Sequence, residues 1–82
     1  MKIKDAVVQR FQAICKARNI KTNELATLSG VTPSTVYSMM NIERQDLSIR
    51  TIKKLCDGLG ISLKDFFDDP IFDRLELEIE DK

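Results

Sequence analysis

The sequence contains no histidine and no tryptophan, and only two cysteines, two prolines and three glycines in 82 residues. The missing histidine removes the commonest general base and the commonest metal ligand. Cys15 and Cys56 stand far apart with no second ligand pair, which argues against a zinc site. The three glycines assemble no phosphate-cradling loop. No apolar run approaches the roughly 18 residues that a membrane span requires, and the opening Met-Lys-Ile-Lys-Asp lacks the layout of a signal peptide. The expectation is a cytoplasmic, non-catalytic chain with no cofactor and no metal.

Net charge is missing as well, because 13 basic and 13 acidic side chains cancel. That balance taken alone argues against a nucleic-acid partner. Its distribution argues otherwise. Residues 1–64 hold eleven bases and five acids, a net charge of +6, whereas residues 65–82 hold two bases and eight acids, a net charge of −6. Such asymmetry signals a charged partner or an acidic tail. The length allows one domain, and a chain this short buries a limited share of its surface, so a partner subunit would add stability.

The hydrophobic pattern predicts an all-α fold. Val7, Phe11, Ile14 and Cys15 recur at three- and four-residue steps and predict a helix from Ile3 to Arg18, with Val8 off the stripe and half exposed. Asn19 ends it, and Ile20 packs inward from the connection. A short second helix is expected from Thr22 to Ser29, capped by Thr22 or its neighbour, with Glu24 in the first turn and Gly30 at the stop. Thr32 then serves as N-cap and Pro33 as the first residue of a third helix reaching about Asn41. Ser48 caps a fourth, whose stripe is Ile49, Ile52, Leu55, Cys56 and Leu59 and which closes at Gly60. Ser62 and Asp65 form a capping box for a fifth that carries Leu63, Phe66 and Phe67.

Beyond Asp68-Asp69-Pro70 two patterns compete. Phe72, Leu75 and Ile79 fit a helix started by Asp69 and Pro70, while Leu75, Leu77 and Ile79 alternating with Glu76, Glu78 and Glu80 fit a strand. The Asp-Pro start favours the helix. The domain is therefore read as residues 1–67, with residues 68–82 as an acidic extension.

The informative stretch is Thr22 to Asn41. Two short helices meet at a tight turn centred on Gly30, which lets the second project from the body into a groove. Leu25, Ala26, Val31, Val36 and Met39 supply inward contacts. Pro33, Ser34, Tyr37, Ser38 and Asn41 remain as the outer face of the third helix, almost all hydrogen-bonding and with no acid to repel phosphate. Tyr37, the only tyrosine, is either a reader on that face or an edge-packed aromatic. Lys21, Arg44 and Arg50 lie near the motif, where they meet phosphates or form a solvated face. Cys15 and Cys56 fall on apolar stripes and are read as buried core thiols.

The segment from Glu24 to Val36 (ELATLSGVTPSTV) resembles the helix-turn-helix of the phage-repressor/Cro-like family of transcription regulators. The resemblance continues through Leu47 to Phe67, including the Leu-Gly-Ile-Ser turn at 59–62, and covers roughly residues 5–67. It implies a compact five-helix DNA-binding domain. By position it implies a phosphate contact at Thr22 and an approach to bases and backbone by Thr32, Pro33 and Ser34. It further implies major-groove reading by Tyr37 and Ser38, and a backbone contact at Asn41. Pro33 can touch a thymine methyl but cannot donate a hydrogen bond. Two departures stand out. Cys15 and Met40 occupy positions where many relatives pair Arg with Glu, and Ile42 stands where relatives usually have Gly, so the third helix must end differently.

The combined expectation is a double-stranded-DNA-binding regulator, more readily a repressor than an activator, acting as a homodimer on a palindromic operator. Phe66, Phe67, Phe72, Leu75 and Ile79 are the candidate dimerisation residues, because the apolar set after residue 70 is excessive for a free tail. The acidic ending reads as a solvated end, a dimerisation element or an internal mimic that competes with DNA for the basic face; dimerisation is favoured, and the ending is expected to lie away from the recognition helix with its apolar side covered. The alternative is a protein-interaction module, antitoxin-like or adaptor-like, whose tail grips a partner.

Overall fold

The computed structural model describes residues 1–79. It is built of α1 (Ile3–Ala17), α2 (Thr22–Ser29), α3 (Pro33–Met40), α4 (Ile49–Leu59), α5 (Leu63–Phe67) and a final 3₁₀ turn, Pro70–Arg74. The expected local signals operate at nearly every boundary. Thr32 Oγ1 accepts from the Thr35 N–H, Ser48 Oγ from Thr51 and Ser62 Oγ from Asp65, at 3.3, 3.2 and 3.0 Å. At α2 the cap is Lys21, whose backbone N–H donates to the Glu24 carboxylate at 3.4 Å. Gly30 and Gly60 both take left-handed backbone conformations, φ 67° and 71°, where a side chain would be strained. The residue after each returns a bond to the helix, Val31 to the Ala26 carbonyl and Ile61 to that of Cys56.

The core gathers Val7, Phe11 and Cys15 from α1, Leu25 and Ala26 from α2, Val36 and Met39 from α3, Ile52, Leu55, Cys56 and Leu59 from α4, and Phe66 from α5. α2 packs chiefly against α4 and α3, so it is the element through which α3 is held to the body. The approach of α2 to α4 is so close at Gly58 that a Cβ there would stand 2.2 Å from Ser29 Oγ and 2.9 Å from the Ser29 backbone. Both cysteines are free and buried, and burial pushes the Cys56 thiol up to about 11, which keeps it protonated and unreactive.

Four sequence expectations change. Val8 is only 3% exposed, because Met1, Met40 and Ile42 gather beside it. Ile49 leaves the core and is 63% exposed, since it opens α4 and no other element among the described residues covers its side chain. The ending is neither a full helix nor a strand: one 3₁₀ turn, started by Asp69 Oδ1 accepting from the Ile71 N–H at 2.9 Å, leaves through an extended Leu75 into an irregular segment that bends at Ile79. Glu80, the last acid of the alternating pattern, lies outside the described residues.

The fourth concerns the apolar residues assigned to a dimer. Phe66 is fully buried within its own chain, 4.3 Å between ring centroids from Phe11, with Phe67 and Phe72 packed around it at 4.9 and 5.9 Å. It therefore has no surface to offer a partner. Phe67 and Phe72 are half-buried on the same core, and Leu75 is half-buried too, which leaves Ile79, with Leu77, widely exposed. Within the one chain the tail's apolar side is covered only in part, at Phe72 and Leu75. The tail's carboxylates engage the start of α1, Glu76 pairing with the Met1 ammonium at 2.8 Å and Glu78 accepting from the Ile3 N–H at 3.3 Å.

Candidate nucleic-acid interface

α3 presents Pro33, Ser34, Tyr37, Ser38 and Asn41 to solvent, while Val36 and Met39 point into the core. This division follows from helical periodicity, because inward positions three apart leave the intervening ones outside. Thr32 and Ser34 hydroxyls bond one another at 3.0 Å and tie the start of the helix. Tyr37 is 57% exposed, and its hydroxyl reaches Asn23 Oδ1 of α2 at 3.5 Å, a long bond that a stronger partner can replace.

Two clefts flank this ridge. One, of about 510 Å³, lies between α1, α3 and the start of α2 and brings together Lys16, Lys21, Thr22, Asn23, Glu24 and Tyr37. The other, also about 510 Å³, lies between α3, the 41–48 connection and the start of α4, and is lined by Ser34, Ser38, Arg44, Ser48, Thr51 and Lys4. The fold thus unites Thr22, Lys21 and Tyr37 on one side and Ser34, Ser38 and Arg44 on the other. Arg50 is exposed at the first turn of α4 and lines neither cleft. Lys21, Arg44 and Arg50 form no ion pair among the described residues.

The positive charge of the body is not all available to a ligand. Arg10 caps the end of α5, donating to the Phe66 and Asp65 carbonyls at 2.8 and 2.9 Å and pairing with Asp69 at 3.3 Å. Lys53 pairs with Asp57 one turn on. Lys21, Arg44 and Arg50 stay exposed and outside any ion pair among the described residues around α2, α3 and the start of α4, and other exposed bases, such as Lys54, Lys64 and Arg74, lie elsewhere on the body and tail.

Lys4 is the site residue that sequence reasoning missed. It is 1% exposed, and its ammonium donates to the Asp46 carbonyl at 3.3 Å, tying α1 to the connection after α3. Burial holds its pKa below the ordinary lysine value; Asp46 opposes that shift and Arg44 adds to it. A signal was present: Lys4 stands three and four residues before Val7 and Val8, on the backward extension of the apolar stripe of α1. Asn41 has a second role besides its position at the helix end, because its Oδ1 accepts from the Glu43 N–H at 3.0 Å and shapes the turn.

A short helix seated on a rigid support, projecting an acid-free polar face between two clefts that carry unpaired bases, defines a helix-turn-helix nucleic-acid-binding domain. The family comparison agrees: residues 10–70 match the model of the Cro/C1-type HTH DNA-binding domain, and the chain belongs to that family. It is a DNA-binding transcriptional regulator. It is similar to a solved structure described as the prophage Lp1 protein 11, with a TM-score of 0.78 and 36% sequence identity over 92% of this chain and 100% of that one. No curated protein sequence matches it. Among the described residues no helix is long and apolar enough to cross a membrane.

Proposed function

We propose that the protein is a sequence-specific repressor that occupies a roughly palindromic operator as a homodimer, with two copies of α3 in successive major grooves about 34 Å apart. The observation that carries this reading is the exposed, acid-free face of α3 between its two clefts. Ser34, Tyr37 and Ser38 read base edges and Pro33 meets a thymine methyl, while Lys21, Thr22, Thr32, Asn41 and Arg50 hold phosphates and set the register. On this reading, occupancy of the operator by the recognition helices is the mechanism.

The test is binding to a selected operator and to random duplex across a salt series. With about four to six phosphates neutralised per monomer, the log–log slope is expected near −4 to −5 per monomer. A flat salt response would remove the DNA reading. Tyr37→Ala is expected to reduce discrimination between operator and random duplex by about 5- to 150-fold, the range of 1–3 kcal/mol per base contact, with a smaller effect on random duplex. Equal losses on both would make Tyr37 a packing residue.

Leu77 and Ile79, 76% and 79% exposed beside half-buried Leu75, support a role for the tail in self-association. Because Phe72 belongs to the core, the deletion that tests this begins at residue 75. Removal of residues 75–82 is expected to convert dimers to monomers in sedimentation, with α-helical content unchanged. A truncated protein that stays dimeric and binds DNA more tightly would instead make the acidic ending a competitor of DNA. Intact chain that protects no DNA and co-purifies with a fixed equivalent of another protein would favour the interaction-module reading.

A further inference from the structure

The exposed face of α3 has no cation of its own, yet a guanidinium lies on it. The chain reverses directly after α3. The Asn41 carbonyl accepts from the Arg44 N–H at 3.1 Å, Asn41 Oδ1 accepts from the Glu43 N–H at 3.0 Å, and the Gln45 side-chain amide donates to the Ile42 carbonyl at 2.7 Å. These bonds fold the connection back over the last turn of the helix. Arg44 Nη1 then donates to Ser38 Oγ at 3.2 Å. The guanidinium is therefore tethered to the middle of the recognition face, one turn from Ser34, which lines the same cleft.

Its surroundings leave it available. Arg44 is exposed and makes no ion pair among the described residues. The cleft does contain an acid, Asp46, whose carboxylate acts electrostatically on the buried Lys4 ammonium and forms no ion pair with Arg44. The buried Lys4 ammonium lies close enough to Arg44 to repel the guanidinium as a like charge. Arginine carries five donors in a planar fork, and Ser38 uses one. The fork matches the paired acceptors O6 and N7 that guanine alone shows in the major groove.

We infer that Arg44, oriented by Ser38, reads a guanine in each half-site, so that the recognition surface is α3 together with the turn that follows it. This rests on the DNA-binding reading above and moves Arg44 from the phosphate set, where its sequence position had placed it, to the base-reading set. Ser38 is a positioning residue for the guanidinium in addition to facing the groove itself.

The experiment is selection of binding sites from randomised duplex by the full chain, followed by the same selection with Arg44→Ala, Arg44→Lys and Ser38→Ala. The wild type is expected to select one strongly preferred guanine per half-site that Arg44→Ala no longer selects. On that site the preference for guanine over the other bases should fall by about 5- to 150-fold, the range of 1–3 kcal/mol per bidentate pair. Arg44→Lys keeps the charge and loses the fork, so it should keep affinity for random duplex while losing the guanine preference. Ser38→Ala should weaken the preference at the same position. Thermal melts of all three should match the wild type, because both side chains are exposed. An Arg44→Ala protein that selects the unchanged site, with affinity lowered evenly across sequences and a salt slope shallower by about one, would make Arg44 a phosphate contact and overturn the inference. A wild type that binds duplex but selects no sequence overturns it together with the sequence-specific reading, and no duplex binding at all removes the DNA reading itself.

Discussion

Gly58→Val is expected to destabilise the domain by about 3 kcal/mol, the upper end of ordinary overpacking. For a domain of this size that lowers the melting temperature by roughly 12–24 °C. Gly58 has an ordinary helical backbone, so its requirement is space rather than a left-handed φ. A Cβ would meet Ser29 Oγ at 2.2 Å and the Ser29 Cα and N at 2.9 Å. The hydroxyl could rotate away, but the backbone atoms move only if α2 itself moves. Gly58→Ala is milder, because the clash is offset by roughly 1 kcal/mol of improved helix propensity. Adding Ser29→Ala should restore part of the loss, since Ser29 Oγ is buried without a hydrogen-bond partner and contributes nothing that its removal would forfeit. Complete restoration would place the whole clash in the hydroxyl. A melting temperature that stays level in Gly58→Val would show that the crossing has room.

This contact matters to function because of where α2 sits. It packs on α4 with one side and α3 with another, so displacement at Gly58 tilts the support of the recognition helix. Position errors of this kind act on base contacts through geometry even though Gly58 touches no DNA in the proposed arrangement.

Phe66→Ala is the second large effect, expected to cost about 3–5 kcal/mol. Small domains have on the order of 5–15 kcal/mol in total, so the variant should be close to unfolding at moderate temperature. The ring is fully buried, contacts Phe11, Phe67 and Phe72, and lies 5.9 Å beneath the Arg10 guanidinium that caps α5. The loss should be the same at all protein concentrations, because Phe66 completes the core of a single chain. Melting that recovers as concentration rises would return Phe66 to a subunit interface, where burial depends on mass action.

The helix boundaries and the recognition face were legible in the sequence for a simple reason: each is decided within a few residues. Thr32 with Pro33, Ser48, and Ser62 with Asp65 announce helix starts through bonds to N–H groups three positions away. Gly30 and Gly60 announce stops through a backbone angle that other residues resist. Once Val36 and Met39 were assigned inward by spacing, Ser34, Tyr37 and Ser38 had to face outward. The tail was less legible, because five or six residues of alternating pattern fit a helix, a strand or neither, and a single 3₁₀ turn started by Asp69 satisfies the Asp-Pro signal fully.

The opening absences also acquire a physical meaning. A net charge of zero conceals a basic body, with Lys21 and Arg44 outside any ion pair among the described residues in the clefts beside α3, and an ending whose Glu76 and Glu78 are spent on the start of α1. Local chemistry along the chain was enough to specify five helices, the tight turn and the outer face of α3. Tertiary packing alone decided which members of each stripe found cover: Val8 and Lys4 did, and Ile49 did not. It also decided that position 58 must lack a side chain, that Phe66 serves the core, and that Arg44 returns to Ser38. Caps and turns depend on neighbours in sequence, whereas burial, close approach and the direction of a long side chain depend on residues brought together only by the fold.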